Sequence, residues 1–332
     1  MNLKKQLILL AKILFSGILL AYLFNKVPIK EILSSIFNTD LYLFAAGFLS
    51  AVPINYLSAL ETQYLTRIQG LNLSVVEILK IHLATSFYGL FLPGILSGGA
   101  VKWYKFTKFG SKSSAAAVVV LNRFLEILMI VFLGIVFSFP TFYSSGNQEL
   151  LIVLVMILFF MICLYLLLLS KAGLNFILKI LFIFPFPHFI KDIIKKFADA
   201  ILQFQNLSLK DHLEILGILF SYHAIGVFSF ICFAKSLGIN LDIWVIGWIR
   251  SAMSLAIMLP LSFAGLGIRE GTLVILFGQY GVKPDVSMAL SFLFFSRNIF
   301  TSFIGGLIEF KEFTFSKSFK NKDLNHFSKD VT

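Results

Sequence analysis

The sequence predicts an all-α, polytopic membrane protein. Three observations carry that prediction: an apolar composition, recurrent apolar runs long enough to cross a bilayer, and two matching proline-and-glycine interruptions. Of 332 residues, 58% are hydrophobic and only 14% charged, and the mean hydropathy is +0.90. Soluble domains carry about 25% charged residues. The net charge of +11 resides mostly in short loops beside apolar runs, which is the pattern of topology signals and anionic-lipid contact. Nucleic acid is therefore not an expected partner.

Eight hydrophobic segments read as helices: 7–24, 41–60, 78–92, 114–139, 150–170, 213–237, 243–260 and 286–310. A helix of roughly 20 residues crosses the hydrocarbon core. In the first segment Lys12 interrupts the apolar core and no A-x-A-like cleavage site follows. It reads as a retained span rather than a signal peptide.

The interruptions are residues 92–102, LPGILSGGAVK, and residues 259–270, LPLSFAGLGIRE. In each, a Leu-Pro step ends an apolar run, small residues follow, and a basic side chain sits nine positions after the proline: Lys102 after Pro93, Arg269 after Pro260. A Gly-x-Lys step comes next (Gly110 to Lys112, Gly281 to Lys283), then an apolar helix with an arginine near its middle, Arg123 or Arg297. Paired interruptions in corresponding halves point to a transporter-type site at an internal repeat.

Two topologies fit the eight segments. Eight simple crossings would put Lys102, Lys105, Lys108 and Lys112 outside without offsetting acids, if Lys4 and Lys5 are cytoplasmic. A re-entrant hairpin over 78–109 returns them inside, as the positive-inside rule prefers. The favoured expectation is thus six full spans plus two re-entrant Pro/Gly hairpins, 78–109 and 243–281. Repeat one (41–139) and repeat two (213–310) then become inverted repeats within a single integral membrane domain, 1–310. Both termini would be cytoplasmic and the protein would sit in the plasma membrane. The basic tail 311–332 is expected to be disordered.

Between the repeats lies a connector, 171–212. Within it Ile190, Ile193, Ile194, Phe197 and Ile201 share one helical face, with Lys191, Lys195 and Lys196 off it. Such a helix either lies on the cytoplasmic leaflet or packs on the bundle. Cys163 and Cys232 each sit inside an apolar run with no metal-type spacing, so neither a disulfide nor a metal site is expected. No HExxH, Walker loop or Ser/His/Asp arrangement appears, and no cofactor is implied.

The residues that invite chemistry are Arg123, Arg250, Arg269 and Arg297, with Lys102. Each mid-membrane arginine costs roughly 2.5–3.5 kcal/mol on insertion scales, so each faces a partner or a wet cavity. Glu126 lies three residues after Arg123, on the same helical face. Glu270 adjoins Arg269, where helical neighbours point apart. Either all four arginines are buried in interhelical pairs, or uncompensated guanidinium groups await an anion such as a phosphate, which their planar fork binds in a bidentate way. Helix N-termini after each glycine-rich turn would add positive dipole ends. Gly98, Gly99, Gly265 and Gly267 would either admit a ligand to the backbone or allow close helix packing. His82 and His223 read as hydrogen-bonded packing residues; Glu61 reads either as a proton-coupling carboxylate or, as its place near the interface favours, as the solvated end of its span.

At these motifs the chain resembles the flippase-like membrane family that includes the transmembrane region of lysylphosphatidylglycerol synthases. In the second half Pro260, Gly265, Gly267, Glu270, Gly281 and Arg297 fit the family's pattern, running on to GGLIEF. In the first half Pro93, Gly98, Gly99, Arg123 and Glu126 fit it. Ala100, Lys102 and Asn122 depart from it, the first and last by loss of a usual acid. The resemblance implies translocation of a membrane lipid, or lipid handling beside a separate lipid-modifying enzyme. Because the chain ends soon after its last span, no lysyl transfer is expected.

The expected ligand is an anionic or aminoacylated phospholipid, or a polyprenyl phosphate. Lys102, Arg123, Arg269, Arg297 and Arg250 would hold its phosphate, and Pro93 and Pro260 would set the hairpin tips. Two other readings are a membrane transferase with Glu126 or Glu270 as general base, and a non-catalytic partner subunit of a synthase or glycosyltransferase.

Overall fold

The computed structural model describes residues 3–91, 95–144, 148–184, 187–259, 262 and 264–327. In chain order the helices are α1 (Leu3–Lys26), α2 (Ile29–Phe37), α3 (Leu41–Leu49), α4 (Ala51–Ile68), α5 (Val75–Phe91), α6 (Ile95–Phe106), α7 (Lys112–Ser144), α8 (Gln148–Leu169), α9 (Lys171–Leu181), α10 (His188–Leu202), α11 (Leu209–Ser236), α12 (Ile243–Met258), α13 (Ile268–Gly278) and α14 (Pro284–Phe327). No strand occurs among the described residues. Among the described residues, five stretches are long and apolar enough to cross a membrane: Leu41–Ile68, Lys112–Tyr143, Leu151–Leu169, Leu209–Ser236 and Pro284–Lys311. This is a polytopic, all-helical membrane protein.

Local chemistry sets the breaks. Pro28 precedes α2 and ends α1, since proline cannot donate back into a preceding turn. The first long stretch is interrupted at Ser50, three residues before Pro53, which has no N–H for the carbonyl of Leu49. Ser74 and Glu77 cap each other at the start of α5, with Ser74 N and Oγ 2.8 and 2.7 Å from Glu77 Oε2. Ser208 and Asp211 do the same for α11. Each is a capping box.

α4 and α11 run antiparallel. Asp40 N donates to the Ser236 carbonyl at 2.9 Å, whereas at the other end Tyr64 Oη donates to Glu214 at 3.0 Å. Helices α5 and α6 form a hairpin whose two ends meet: a Cβ on Gly110 would lie 2.3 Å from the Leu71 side chain. That end adjoins the start of α11, because Gln69 Nε2 donates to the Ala200 carbonyl at 2.6 Å just before it. Helices α12 and α13 form the second hairpin, closed at its open end by Trp248 against Tyr280, with ring centroids 6.4 Å apart. Its open end adjoins the finish of α11. The two hairpins therefore enter the bundle from opposite ends, and described residues near their inner ends, Gly89, Gly98, Ala264 and Gly265, come together inside it.

Packing between the halves is reciprocal. The last long helix of the first half, α7, lies against the first arm of the second hairpin, α12, and the last helix of the second half, α14, lies against the first arm of the first hairpin, α5. Both crossings depend on glycine. A Cβ on Gly247 would meet the Phe137 ring at 2.3 Å, and one on Gly305 would meet the Leu83 carbonyl oxygen at 1.9 Å. Small residues let backbones approach this closely in membranes, where apolar burial alone drives little association. The flank of α8 instead exposes Ile152, Val153, Met156, Phe159 and Phe160, as a face toward lipid tails would.

Three expectations are corrected. Helix α10 packs on α7 and α8 and buries Ala198, Ala200 and Ile201, so of the two placements the connector takes the bundle. Of the expected apolar face, Ile201 is buried and Phe197 packs against the core, whereas Ile193 is exposed. The stretch 311–327 continues α14. No glycine or proline follows Gly306 there to stop it. The span 41–60 in fact runs on to Ile68, which moves Glu61 inward. Pro93 and Pro260 lie outside the described residues.

Candidate functional site

A cavity of about 630 Å³ opens between the inner ends of the two hairpins. Its walls come from both halves: Gly89, Gly98, Gly99 and Lys102 of the first hairpin, Asn122, Arg123 and Glu126 of α7, and Ile257, Ser262, Ala264 and Gly265 of the second. A second cavity of about 360 Å³ is bounded by Asn55, Ser86, Phe295, Arg297, Asn298 and Thr301, and it shares Gly89 and Ala264 with the first. Both volumes fall in the range common for small-molecule sites, ~300–1,000 Å³. Val120, also in the wall of the larger cavity, is exposed on the outer surface of α7. The cavity thus reaches the apolar flank of the bundle.

The turn between α12 and α13 is held in an unusual shape. Ala264 has φ 51°, and Gly265 and Gly267 have φ 76° and 83°. For alanine this left-handed conformation costs about 1–2 kcal/mol, and such strain persists only where surrounding packing imposes it. Ile257 lies 2.9 Å from where a Gly265 Cβ would be, and Leu19 of α1 equally close to one on Gly267. These glycines serve close packing as well as turn geometry.

Each cation has a distinct setting. Arg123 Nη1 donates to Glu126 Oε2 at 3.1 Å, the pair expected from their spacing, and their side chains stay 39% and 23% exposed. An entering anion can reach this guanidinium. Lys102 Nζ donates to Asn122 Oδ1 at 2.8 Å. Arg297 Nη1 donates to Ser229 Oγ at 2.7 Å, its guanidinium carbon is 4.7 Å from the Phe294 ring centre, and no acid pairs with it among the described residues. Lys102 and Arg123 therefore line one cavity and Arg297 the cavity beside it.

Arg269 does not join them. It is 2% exposed and Glu270 0%. Arg269 Nη2 and Nε lie 2.6 and 3.1 Å from Glu270 Oε1, and Nε also donates to Ser291 Oγ at 2.7 Å. The Phe295 ring, 4.2 Å from its guanidinium carbon, stands between it and the smaller cavity. Glu270 Oε2 accepts from Gly267 N at 2.7 Å. The expectation that these neighbours point apart holds inside a helix. Here they occupy the first turn of α13, where Glu270 folds back to cap the terminus. That N-terminus is consequently filled by a carboxylate and offers no dipole end to a ligand. Glu270 is likewise too enclosed to act as a general base.

Arg250 is also withdrawn from the site. It borders neither cavity and is 8% exposed, packed over Gly226, where a Cβ would lie 2.6 Å from Nη2. The histidines differ from expectation too. His223 stacks on Tyr222 with centroids 4.4 Å apart, yet among the described residues neither of its ring nitrogens has a hydrogen-bond partner, nor does Nε2 of His82. Glu61 is 0% exposed rather than solvated. It accepts from Asn122 Nδ2 at 2.7 Å, and so supplies the first half with a carboxylate that Ala100 and Asn122 appeared to have removed. Cys163 and Cys232 are free thiols, and no cluster of metal-type ligands occurs among the described residues.

The family model for the lysylphosphatidylglycerol synthase TM region matches residues 9–306, which takes in both hairpins and every wall of both cavities. The chain belongs to this family. No curated protein and no solved structure matches it. As a member of the lysylphosphatidylglycerol synthase transmembrane family, the chain is a lipid-related multi-pass membrane protein, and its hairpin turns and cation-lined cavities fall within the shared region.

Proposed function

We propose that the protein binds the phosphate-bearing head group of an anionic or aminoacylated phospholipid, or of a polyprenyl phosphate, and passes it between the leaflets of the plasma membrane. The supporting observation is the 630 Å³ cavity between the hairpin turns, with Lys102 and Arg123 in its wall and Arg297 in the adjoining space. The three cations outnumber the carboxylates near them, Glu126 and, behind the wall, Glu61, so the space attracts an entering phosphate. The lateral reach at Val120 lets acyl chains stay in lipid while the head group is inside. Rocking of one half against the other would expose the cavity to each side in turn.

The reading favours a carrier over a transferase, because Glu126 is engaged by Arg123 and Glu270 is enclosed. Where the head group is aminoacylated, a separate lipid-modifying enzyme would supply it. In liposomes with head-group-labelled lipid, Arg123→Ala and Arg297→Ala are each expected to slow lipid movement by ~10-fold or more, the worth of a hydrogen bond to a charged group. Wild-type rates for both variants would sink the reading.

Orientation follows from charge. Lys105, Lys108, Lys112, Lys195, Lys196 and Lys210 gather at the end of the bundle where the first hairpin opens, which the positive-inside rule assigns to the cytoplasm together with both termini. Single cysteines at positions 105 and 283, in a chain lacking Cys163 and Cys232, are expected to react with a membrane-impermeant thiol reagent from opposite faces. Labelling of both from one face would overturn the opposed-hairpin topology.

A further inference from the structure

Behind the cavity wall lies a carboxylate that lipid binding does not touch. Lys102 Nζ, in the wall, donates to Asn122 Oδ1 at 2.8 Å, and Asn122 Nδ2 donates to Glu61 Oε2 at 2.7 Å. Thr62 Oγ1 adds a longer contact to the same oxygen, 3.3 Å. Glu61 is 0% exposed, and among the described residues its Oε1 has no hydrogen-bond partner. A buried carboxylate with one oxygen unsatisfied, tied through one amide to a cation at a binding cavity, is an unusual arrangement to hold in a membrane interior.

We propose that Glu61 is a proton-binding site coupled to the cavity: it takes up one proton when an anionic head group engages Lys102, and releases it when the head group leaves. The inference rests on the lipid-binding reading above. Where Glu61 is ionised in the empty cavity, Lys102 is its counter-ion across the Asn122 amide, whose oxygen accepts from the ammonium and whose NH₂ donates to the carboxylate. A phosphate at the wall competes for that ammonium. The charged and titratable groups that face this chain are Lys102 from α6, Arg123 and Glu126 from α7, Tyr222 from α11 and, beside Lys102, His82 from α5. With a phosphate bound, Lys102 and Arg123 must serve three anions: the phosphate, Glu126 and Glu61.

An unbalanced carboxylate in a buried site is strongly unfavourable, and a neutral acid is the available remedy. The proton comes from water through the cavity and bonds to a Glu61 oxygen, converting carboxylate to carboxylic acid. The negative charge entering with a monoanionic head group is matched by the positive charge of the proton. Head group and proton then travel as a neutral pair, so a pH gradient can drive the lipid and a membrane potential cannot.

Calorimetric titration of the detergent-solubilised protein with dioctanoyl phosphatidylglycerol, at one pH in HEPES and in Tris, tests this. Buffers of different ionisation enthalpy report the protons exchanged. Wild type is expected to bind with uptake of about one proton, and Glu61→Gln to bind within about threefold of wild type with no uptake. Binding without uptake in wild type would overturn the proton site and leave the lipid reading standing. Absence of any binding would overturn the lipid reading itself. Uptake that persists in Glu61→Gln would assign the proton elsewhere. Should that variant fail to fold, difference infrared spectroscopy of wild type decides: a protonated-carboxyl band must rise on adding the lipid and shift in Glu61→Asp, and its absence overturns the proposal.

Discussion

Arg269→Ala is expected to destabilise the protein by about 3–5 kcal/mol, the cost of leaving one member of a buried ion pair uncompensated. Glu270 would keep its bonds from Gly267 N and Ser291 Oγ but lose the only cation touching it among the described residues. Its burial leaves no water to compensate. The measurement is the thermal unfolding midpoint in detergent. The double variant Arg269→Ala with Glu270→Gln should recover part of the loss, because removing both charges eliminates the stranded one. A midpoint unchanged by Arg269→Ala would mean that the pair is open to water, and Arg269 would return to the list of candidate head-group ligands.

Gly305→Ala should be comparably severe for a different reason. Its Cβ would fall 1.9 Å from the Leu83 carbonyl oxygen and 2.4 Å from the carbonyl carbon. Both neighbours are helix backbone, so no side chain can turn aside, and α5 and α14 must separate. Overpacking commonly costs about 1–3 kcal/mol, with more where backbone must move. Near this crossing Tyr88 Oη donates to Glu309 Oε2 at 3.0 Å, and Lys105 also pairs with Glu309. The same separation would loosen these contacts and shift Gly89 in the walls of both cavities. Lipid movement should therefore fall along with the midpoint. Gly217→Ala is the control, since nothing lies within 4 Å of the added carbon. Equal behaviour of the two variants would refute the close crossing.

Much of the architecture was legible because it rests on composition and on punctuation. Apolar runs separated by lysine-bearing loops marked the long helices, and the two Leu-Pro steps with their glycines marked the turns now found at the cavity. The Arg123–Glu126 pair was legible because three residues is a helical contact distance. What could not be read depended on longer range or on helix ends. Arg269 and Glu270 meet because they occupy a first turn that starts from a left-handed glycine. Glu61 looked interfacial while its helix was taken to stop at residue 60. Eight more residues of helix, with α11 and α7 beside them, enclose it. Gly305 was marked only as the start of the GGLIEF run, and its close crossing gave no signal, since its partner lies more than two hundred positions earlier. Arg250 looked like its counterparts, and only the packing of α12 against Gly226 separates it from them.

The exchanged clasp between the halves bears on how the protein is made. The arm formed by residues 75–91 finishes emerging long before its cover, α14, exists: Tyr88 and the Glu309 that receives it are 221 positions apart. During synthesis that arm, carrying the Leu83 carbonyl groove, has to wait unsheltered beside the translocation machinery. A truncated first half would keep its apolar helices yet lack the surface that closes over them, so assembly in the bilayer is completed by the final helix rather than built up one half at a time.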